Sequence, residues 1–244
     1  MIFADRPFLD RIDLAAANGV PAFEFWRWDN KDIPAIAERA QGLGIACAAF
    51  AASSEGSLVD PASQVPYLNG LRVGLQHARA LGTTTLIVTT GNARSGVERA
   101  AQHDAIVAGL RAAAPMAADA GITLALEPLN TLVDHRGYYL DSTAEGLQIV
   151  AEVASPSVKL LYDFYHAQIM EGSLIATATA NLASIAHLHV ADNPGRNEPG
   201  TGEIDYRNVF RAIDAAGYTG HVGLEYRPTG DHAASLRSTI ALAS

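Results

Sequence analysis

The chain has 244 residues, of which 49% are hydrophobic and 18% charged, and its formal net charge is -9. Divided by roughly 150 residues per domain, that length fits either two small domains or one large α/β barrel, and the apolar content excludes a disordered chain. The acidic balance argues against the basic face that a phosphate backbone or an anionic membrane demands, so neither nucleic acid nor membrane is an expected partner.

The N-terminus, MIFADRPFLDR, carries charge by residue 5 and has no signal-peptide pattern. No apolar run approaches the roughly 18 residues of a membrane span, so a soluble, cytoplasmic protein is expected. MIFA itself is barely long enough for a strand. Beyond it, short apolar runs alternate with longer Ala-rich segments of helical pattern. The runs are AFEFW (22–26), IACAAFA (45–51), TTLIVTT (84–90), TLALEPL (123–129), VKLLYDF (158–164), IAHLHVA (185–191) and HVGLEY (221–226). Rich in branched and aromatic residues and entered mostly through Gly or Pro/Ser punctuation, they read as strands.

Helical segments separate them, from PFLDRIDLAAANG at the start to AASLRSTIALA at the end. Several stop on Gly, the residue suited to a left-handed C-cap, while Asp32 and Ser142 are candidate N-caps. Pro34 falls in the first turn after Asp32, and Glu145 stands where a capping box with Ser142 would place it. Cys47, the only cysteine, lies inside an apolar run and reads as a core thiol.

Strand and helix alternating along the whole length imply parallel strands, and no Ser/Gly/Pro linker divides the chain. Eight units of roughly 30 residues each make a (β/α)8 TIM barrel spanning 1–244 the economical reading, with a first strand that is short or truncated. A doubly wound open sheet is the alternative, but no Gly-rich dinucleotide loop follows any strand.

In such a barrel the chemistry sits at the C-terminal ends of the strands. Four consecutive runs deliver a metal-competent side chain there: Glu127 in LALEPLN, Asp163 in LLYDFYH, His189 in HLHVAD and Glu225 in GLEYRP. Three carboxylates and an imidazole suit a divalent metal ion such as Mn2+, Mg2+ or Co2+. Without a cation, three crowded carboxylates repel one another. Singly, each could be a helix cap or half an ion pair; together they point to a site.

His166, three residues after Asp163, belongs to the following loop and is a candidate to hydrogen-bond substrate. His187 alternates with His189 on the same face, one layer deeper, where a supporting or core role is expected. The segment 192–206 is too rich in Pro, Gly and Asn for helix or strand and reads as an ordered loop over the barrel mouth. Arg196 within it could anchor a substrate carboxylate or pair with Glu198 or Glu203. Trp26 and Trp28 could wall the mouth or simply pack. His77, His103, His135, His221 and His232 read as structural or solvated.

The strings LEPLN (126–130), YDFYHAQIMEG (162–172), NPGRNEPGTGEIDY (193–206) and GLEYRP (223–228) resemble the hydroxypyruvate isomerase family within the xylose-isomerase-like TIM barrels. The resemblance covers nearly the whole chain. It implies Glu127 and Glu225 as the catalytic acid/base pair, Glu127, Asp163 and Glu225 as metal ligands, and His166, Arg196, Asn130 and Trp26 near the substrate. A homo-oligomer is expected by the same resemblance.

Two positions depart from the pattern. His189 stands where hydroxypyruvate isomerases usually carry Gln in H-x-Q, which is similar to ketose 3-epimerases. The first strand is almost missing, which points to a start codon upstream. The expected activity is therefore a metal-dependent isomerisation of a small hydroxy-carbonyl compound, such as hydroxypyruvate to tartronate semialdehyde or a related sugar or keto acid, through an enediolate. A ketose 3-epimerase and a non-catalytic sugar-binding protein are the alternatives.

Overall fold

A computed structural model describes residues 1–243 of the chain. Each of the seven apolar runs forms a strand: β1 Ala22–Phe25, β2 Ala46–Ala51, β3 Thr85–Val88, β4 Thr123–Leu126, β5 Val158–Asp163, β6 Ile185–Val190 and β7 Val222–Leu224. They pair in parallel and in sequence order, β1 to β7, as one seven-stranded sheet. This is the TIM-barrel architecture with the first strand missing among the described residues: Ile2–Asp5 forms turns, and the Phe3 amide donates to His232 Nδ1 at 2.6 Å.

The expected helices are α1 Phe8–Ala17, α2 Ile33–Leu43, α3 Gln64–Leu81, α4 Arg99–Asp119 and α5 Thr143–Val153. One helix not expected, α6 Phe164–Met170, begins directly at the end of β5, and the expected α7 Leu174–Ala180, α8 Tyr206–Ala215 and α9 His232–Leu242 complete the set. The Asp32 carboxylate accepts from the Ala35 amide at the start of α2, and Gly44 closes that helix in the left-handed region at φ 65°. Ser142 caps α5 through the Glu145 amide at 3.4 Å. The Glu145 carboxylate, expected to close a capping box, instead takes the Tyr139 hydroxyl at 2.7 Å and pairs with Arg99. A guanidinium and a phenol are stronger partners for a carboxylate than one backbone amide.

Burial follows the two periodicities. In α8 the buried residues Tyr206, Val209, Phe210 and Ile213 fall on one helical face. The strands are buried on both sides, outward under the helices and inward at the barrel axis. Ala49, Ile87, Ala125 and Leu161 form a small apolar layer on β2 to β5, with Ala186 packed against it. Cys47, on β2, is buried, and desolvation pushes its thiol up to about 12. Among the described residues no helix is long and apolar enough to cross a membrane.

Candidate active site

Side chains along a strand repeat every two residues, so a residue two past an inward-facing one faces inward again, one layer higher. Ala125 and Leu161 belong to the apolar layer; two residues on stand Glu127 and Asp163. His189 lies opposite Asp163 on β5, and Gly223 lies opposite His189 on β7; two residues beyond Gly223 stands Glu225. Glu127 and Glu225 sit one residue past their strands, yet their amides still bond to the neighbouring strands at Val88 O and Val190 O, 3.0 Å each. The fold thus brings all four strand-end residues to one mouth, and all four are buried.

His189 Nδ1 faces the three carboxylates at 3.2 Å from Glu127 Oε1, 3.5 Å from Glu225 Oε2 and 3.9 Å from Asp163 Oδ2. His166 joins the same cluster: one ligand atom each from Glu127, Asp163, His166 and Glu225 lies within 4.8 Å of the others. A second group within that limit is Glu24, His187 and His189. His189 therefore stands between the two, offering one ring nitrogen to each.

His166 was expected in a loop. It instead occupies the first turn of α6, because Asp163 Oδ1 accepts from the Tyr165 amide at 2.7 Å and the His166 amide at 3.2 Å and so starts a helix at once. The other oxygen, Asp163 Oδ2, is buried without a hydrogen-bond partner. The His166 ring is fixed from behind, its Nδ1 3.1 Å from the Asn130 amide and 2.7 Å from Asn130 Nδ2. Two donors on Nδ1 leave the proton on Nε2, facing the cluster. Burial holds the His166 pKa down at about 4, so the ring is neutral.

Arg196 reaches the site from the loop after β6. Its backbone is left-handed, φ 55°, and Nη2 donates to Glu225 Oε2 at 2.6 Å while lying 3.3 Å from His166 Nε2. The guanidinium lies over the Tyr165 ring, 5.2 Å from its centre, and its Nε has no partner. Glu198 and Glu203, the alternative partners, are engaged elsewhere: Glu198 with the Thr229 amide and hydroxyl, Glu203 with Gln168 and Asn193. The loop is fastened by Asp192, whose Oδ1 accepts from Asn193 and Ile204 (3.0 and 3.1 Å) and whose Oδ2 accepts from Gly200 (2.8 Å). Trp26, 52% exposed at the mouth, donates from Nε1 to Glu225 Oε1 at 2.5 Å. Trp28 turns inward and packs edge-on to His77, so it does not line the mouth.

The carboxylates differ in charge affinity. Burial raises Asp163 to about 6, and the charge of Glu225 adds to it. Burial raises Glu127 too, opposed by His189. Burial would also raise Glu225, but the His189 charge, its hydrogen bond and Arg196 outweigh it and hold Glu225 at about 2. The His189 ring is penalised by burial, yet Glu24 and Glu225 push it well above the ordinary imidazole value. Three buried carboxylates, among them Asp163 with its unpartnered Oδ2, and the His189 imidazole are a donor set that fits a divalent cation.

Sequence reasoning left out Glu24, Asp134 and Tyr165. Asp134 accepts from Asn130 Nδ2 at 2.9 Å and from the Tyr165 hydroxyl at 2.7 Å, and so braces the His166 side of the site. The YDFYH string held a signal for Tyr165, an aromatic beside the site histidine.

The family model for xylose isomerase-like TIM barrels matches residues 12–242. Hydroxypyruvate isomerase of Escherichia coli K12 is 33% identical over 244 residues, covering 97% of this chain and 94% of that protein. A 2-oxo-tetronate isomerase of Cupriavidus necator is 32% identical over 243 residues, with 97% and 93% covered. A solved structure from Brucella melitensis, described as an AP endonuclease of family 2, superposes with a TM-score of 0.93 at 30% identity, covering 98% of this chain and 95% of that one.

Proposed function

Because the chain belongs to the xylose isomerase-like TIM-barrel family, and within it to the hydroxypyruvate isomerase family, we propose that it isomerises a small 2-oxo acid or sugar bearing a hydroxyl beside its carbonyl, with hydroxypyruvate as the first candidate. The observation that carries this reading is the pair Glu127 and Glu225. They come from β4 and β7, both buried, and they flank His189 Nδ1 at 3.2 and 3.5 Å.

Moving a carbonyl to the adjacent carbon requires loss of a C–H proton, an enediolate, and return of a proton to the neighbouring carbon. Two carboxylates on different strands can do this, one taking the proton and the other delivering it, and environments that push their proton affinities apart assist that division. Glu225, paired with the Arg196 guanidinium at 2.6 Å, fits the base, and Glu127 fits the acid.

Arg196 supplies a buried guanidinium whose free Nε and forked Nη atoms suit a substrate carboxylate. His166, neutral with its proton on Nε2, donates to a substrate oxygen. Trp26 covers the mouth and keeps water from the enediolate. Glu127, Asp163, His189 and Glu225 would hold a divalent cation of the Mn2+, Mg2+ or Co2+ type. When bound, such a cation supplies Lewis-acid stabilisation of negative charge on the substrate oxygens.

A ketose 3-epimerase is the second reading, favoured by His189 in place of the Gln of the usual pattern. The same two glutamates would then act on opposite faces of one carbon. The net charge of -9 speaks against a nucleic-acid substrate.

The test is incubation in heavy water with hydroxypyruvate, tartronate semialdehyde and a panel of free ketoses, with and without Mn2+, followed by NMR. Carbonyl migration with deuterium incorporation is the expected result. Inversion at C3 of a ketose would select the epimerase, and binding without any C–H exchange would reduce the protein to a sugar-binding role.

A further inference from the structure

Below the carboxylate layer the barrel holds a second polar group. Glu24 on β1 points to the axis with Oε2 2.8 Å from His187 Nε2 and Oε1 3.3 Å from His189 Nε2. The two imidazoles are buried, and their rings meet edge to face at 5.0 Å. His189 Nε2 is buried and makes no hydrogen bond among the described residues, and the Glu24 carboxylate stands 3.3 Å from it as an ion-pair partner. The barrel makes room for this trio at β7: a Cβ on Gly223 would lie 2.1 Å from Glu24 Oε1 and 2.6 Å from His189 Cδ2. Any side chain there would displace the pair.

An imidazole facing carboxylates through both nitrogens has an orientation to defend. If Nε2 carries the proton toward Glu24, the lone pair of the neutral ring is left on Nδ1, toward Glu127, Asp163 and Glu225. If the proton sits on Nδ1 instead, the ring has nothing to offer a cation. A carboxylate behind a ligating histidine is a general device for fixing tautomer and ring angle. Here the carboxylate is itself fixed, because its second oxygen is taken by His187.

We propose that Glu24 is a positioning residue, which holds the Nε2–H of His189 and so presents Nδ1 as a ligand atom to the site, with His187 locking the Glu24 carboxylate in place. This rests on the proposed function only in taking His189 as a cation ligand. It also gives His187 a definite task, as the donor that keeps Glu24 from rotating away.

The experiment compares Mn2+ affinity, read from the loss of the free-ion electron paramagnetic resonance signal, in the wild-type chain, Glu24→Gln and Glu24→Asp. Glu24→Gln is expected to weaken Mn2+ binding about 10- to 100-fold, and Glu24→Asp, which keeps the charge, to recover part of the loss. In the Mg2+-loaded wild type, long-range 1H–15N spectra should show His189 as the Nε2–H tautomer; in Glu24→Gln that signature should be lost or mixed.

Should Glu24→Gln fail to fold, His187→Phe removes the lock while keeping a ring, and a loss of about threefold or more is expected. Glu24→Gln, or His187→Phe in its place, binding Mn2+ as tightly as wild type with His189 unchanged would overturn this inference and leave the isomerase reading standing. Wild-type protein that isomerises hydroxypyruvate but binds no Mn2+ would overturn it from the other side.

Discussion

The first three strands and the last four are built alike but end differently. After Phe25, Ala51 and Val88 the chain continues into Trp26, Ala52 and Thr89, and the core around β1 to β3 is closed by Phe25 stacked on Phe50 at 5.1 Å. Just past β4 and β7 stand Glu127 and Glu225, β5 ends on Asp163 itself, and β6 adds His189 just before its end. The same strand-helix unit serves both regions, so the barrel is held by one set of residues and its chemistry by another. Glu24 is the exception, an ionisable group from the apolar side that works for the polar one.

The sharpest way to break that division is to exchange one atom in each glutamate. Glu127→Gln and Glu225→Gln should each lower kcat by about 10²- to 10⁴-fold, read as lost deuterium exchange, with the fold intact by circular dichroism. Exchange retained in either variant would remove that residue from proton transfer. The opposite substitution is Phe50→Ala on β2, which should cost about 3–5 kcal/mol in denaturant unfolding while the activity of the folded fraction is kept.

Arg196→Lys is next in size. It keeps the charge but loses the fork that meets Glu225 and leaves Nε free, and KM for a 2-oxo acid should rise about tenfold or more. A KM that rises only for free ketoses would favour the epimerase reading.

A smaller effect concerns pH. In the cation-free protein the folded-state value of Asp163 is raised from 3.8 to about 6, so folding binds its proton more tightly. That contribution to stability is fully present below 3.8 and is lost as pH rises through about 6. Glu127 shifts in the same direction. Glu225, lowered to about 2 from 4.5, has the opposite sign, but its contribution changes only as pH falls below 4.5. His166 works against Asp163 and Glu127: its folded-state value is lowered from 6.5 to about 4, so its contribution is fully present above 6.5 and is lost as pH falls through about 4. Thermal melts should therefore show a nearly level Tm between about pH 4 and pH 6.5, and a Tm that rises with pH across that window in Asp163→Asn. Trp26→Phe, at the half-exposed mouth, should change kcat by no more than about threefold.

The barrel was legible in the sequence because a parallel strand buried on both faces leaves an unbroken apolar run, and seven such runs fell where seven strands form. Glu127, Asp163 and Glu225 were legible for the same reason, as carboxylates ending apolar runs. What was not legible depended on direction or on company. Within AFEFW, Glu24 reads as the polar side of an alternating strand, and only the curvature of the sheet turns that side to the axis. Helix α6 is too short to show a period, and its start is set by the side chain of Asp163 rather than by a run of helix formers. Glu145 had the spacing of a capping box, but spacing cannot reveal that Arg99 and Tyr139 arrive from elsewhere in the chain.

The carboxylate of Asp192 acts as a clasp on the loop that carries Arg196, since the amides of residues 193, 200 and 204 all meet it. A loop gathered on one side chain has a fixed perimeter, so the reach of Arg196 to Glu225 is set by the backbone that Asp192 fastens. Lengthening or shortening the segment between 193 and 203 would move the guanidinium off Glu225 without touching a strand.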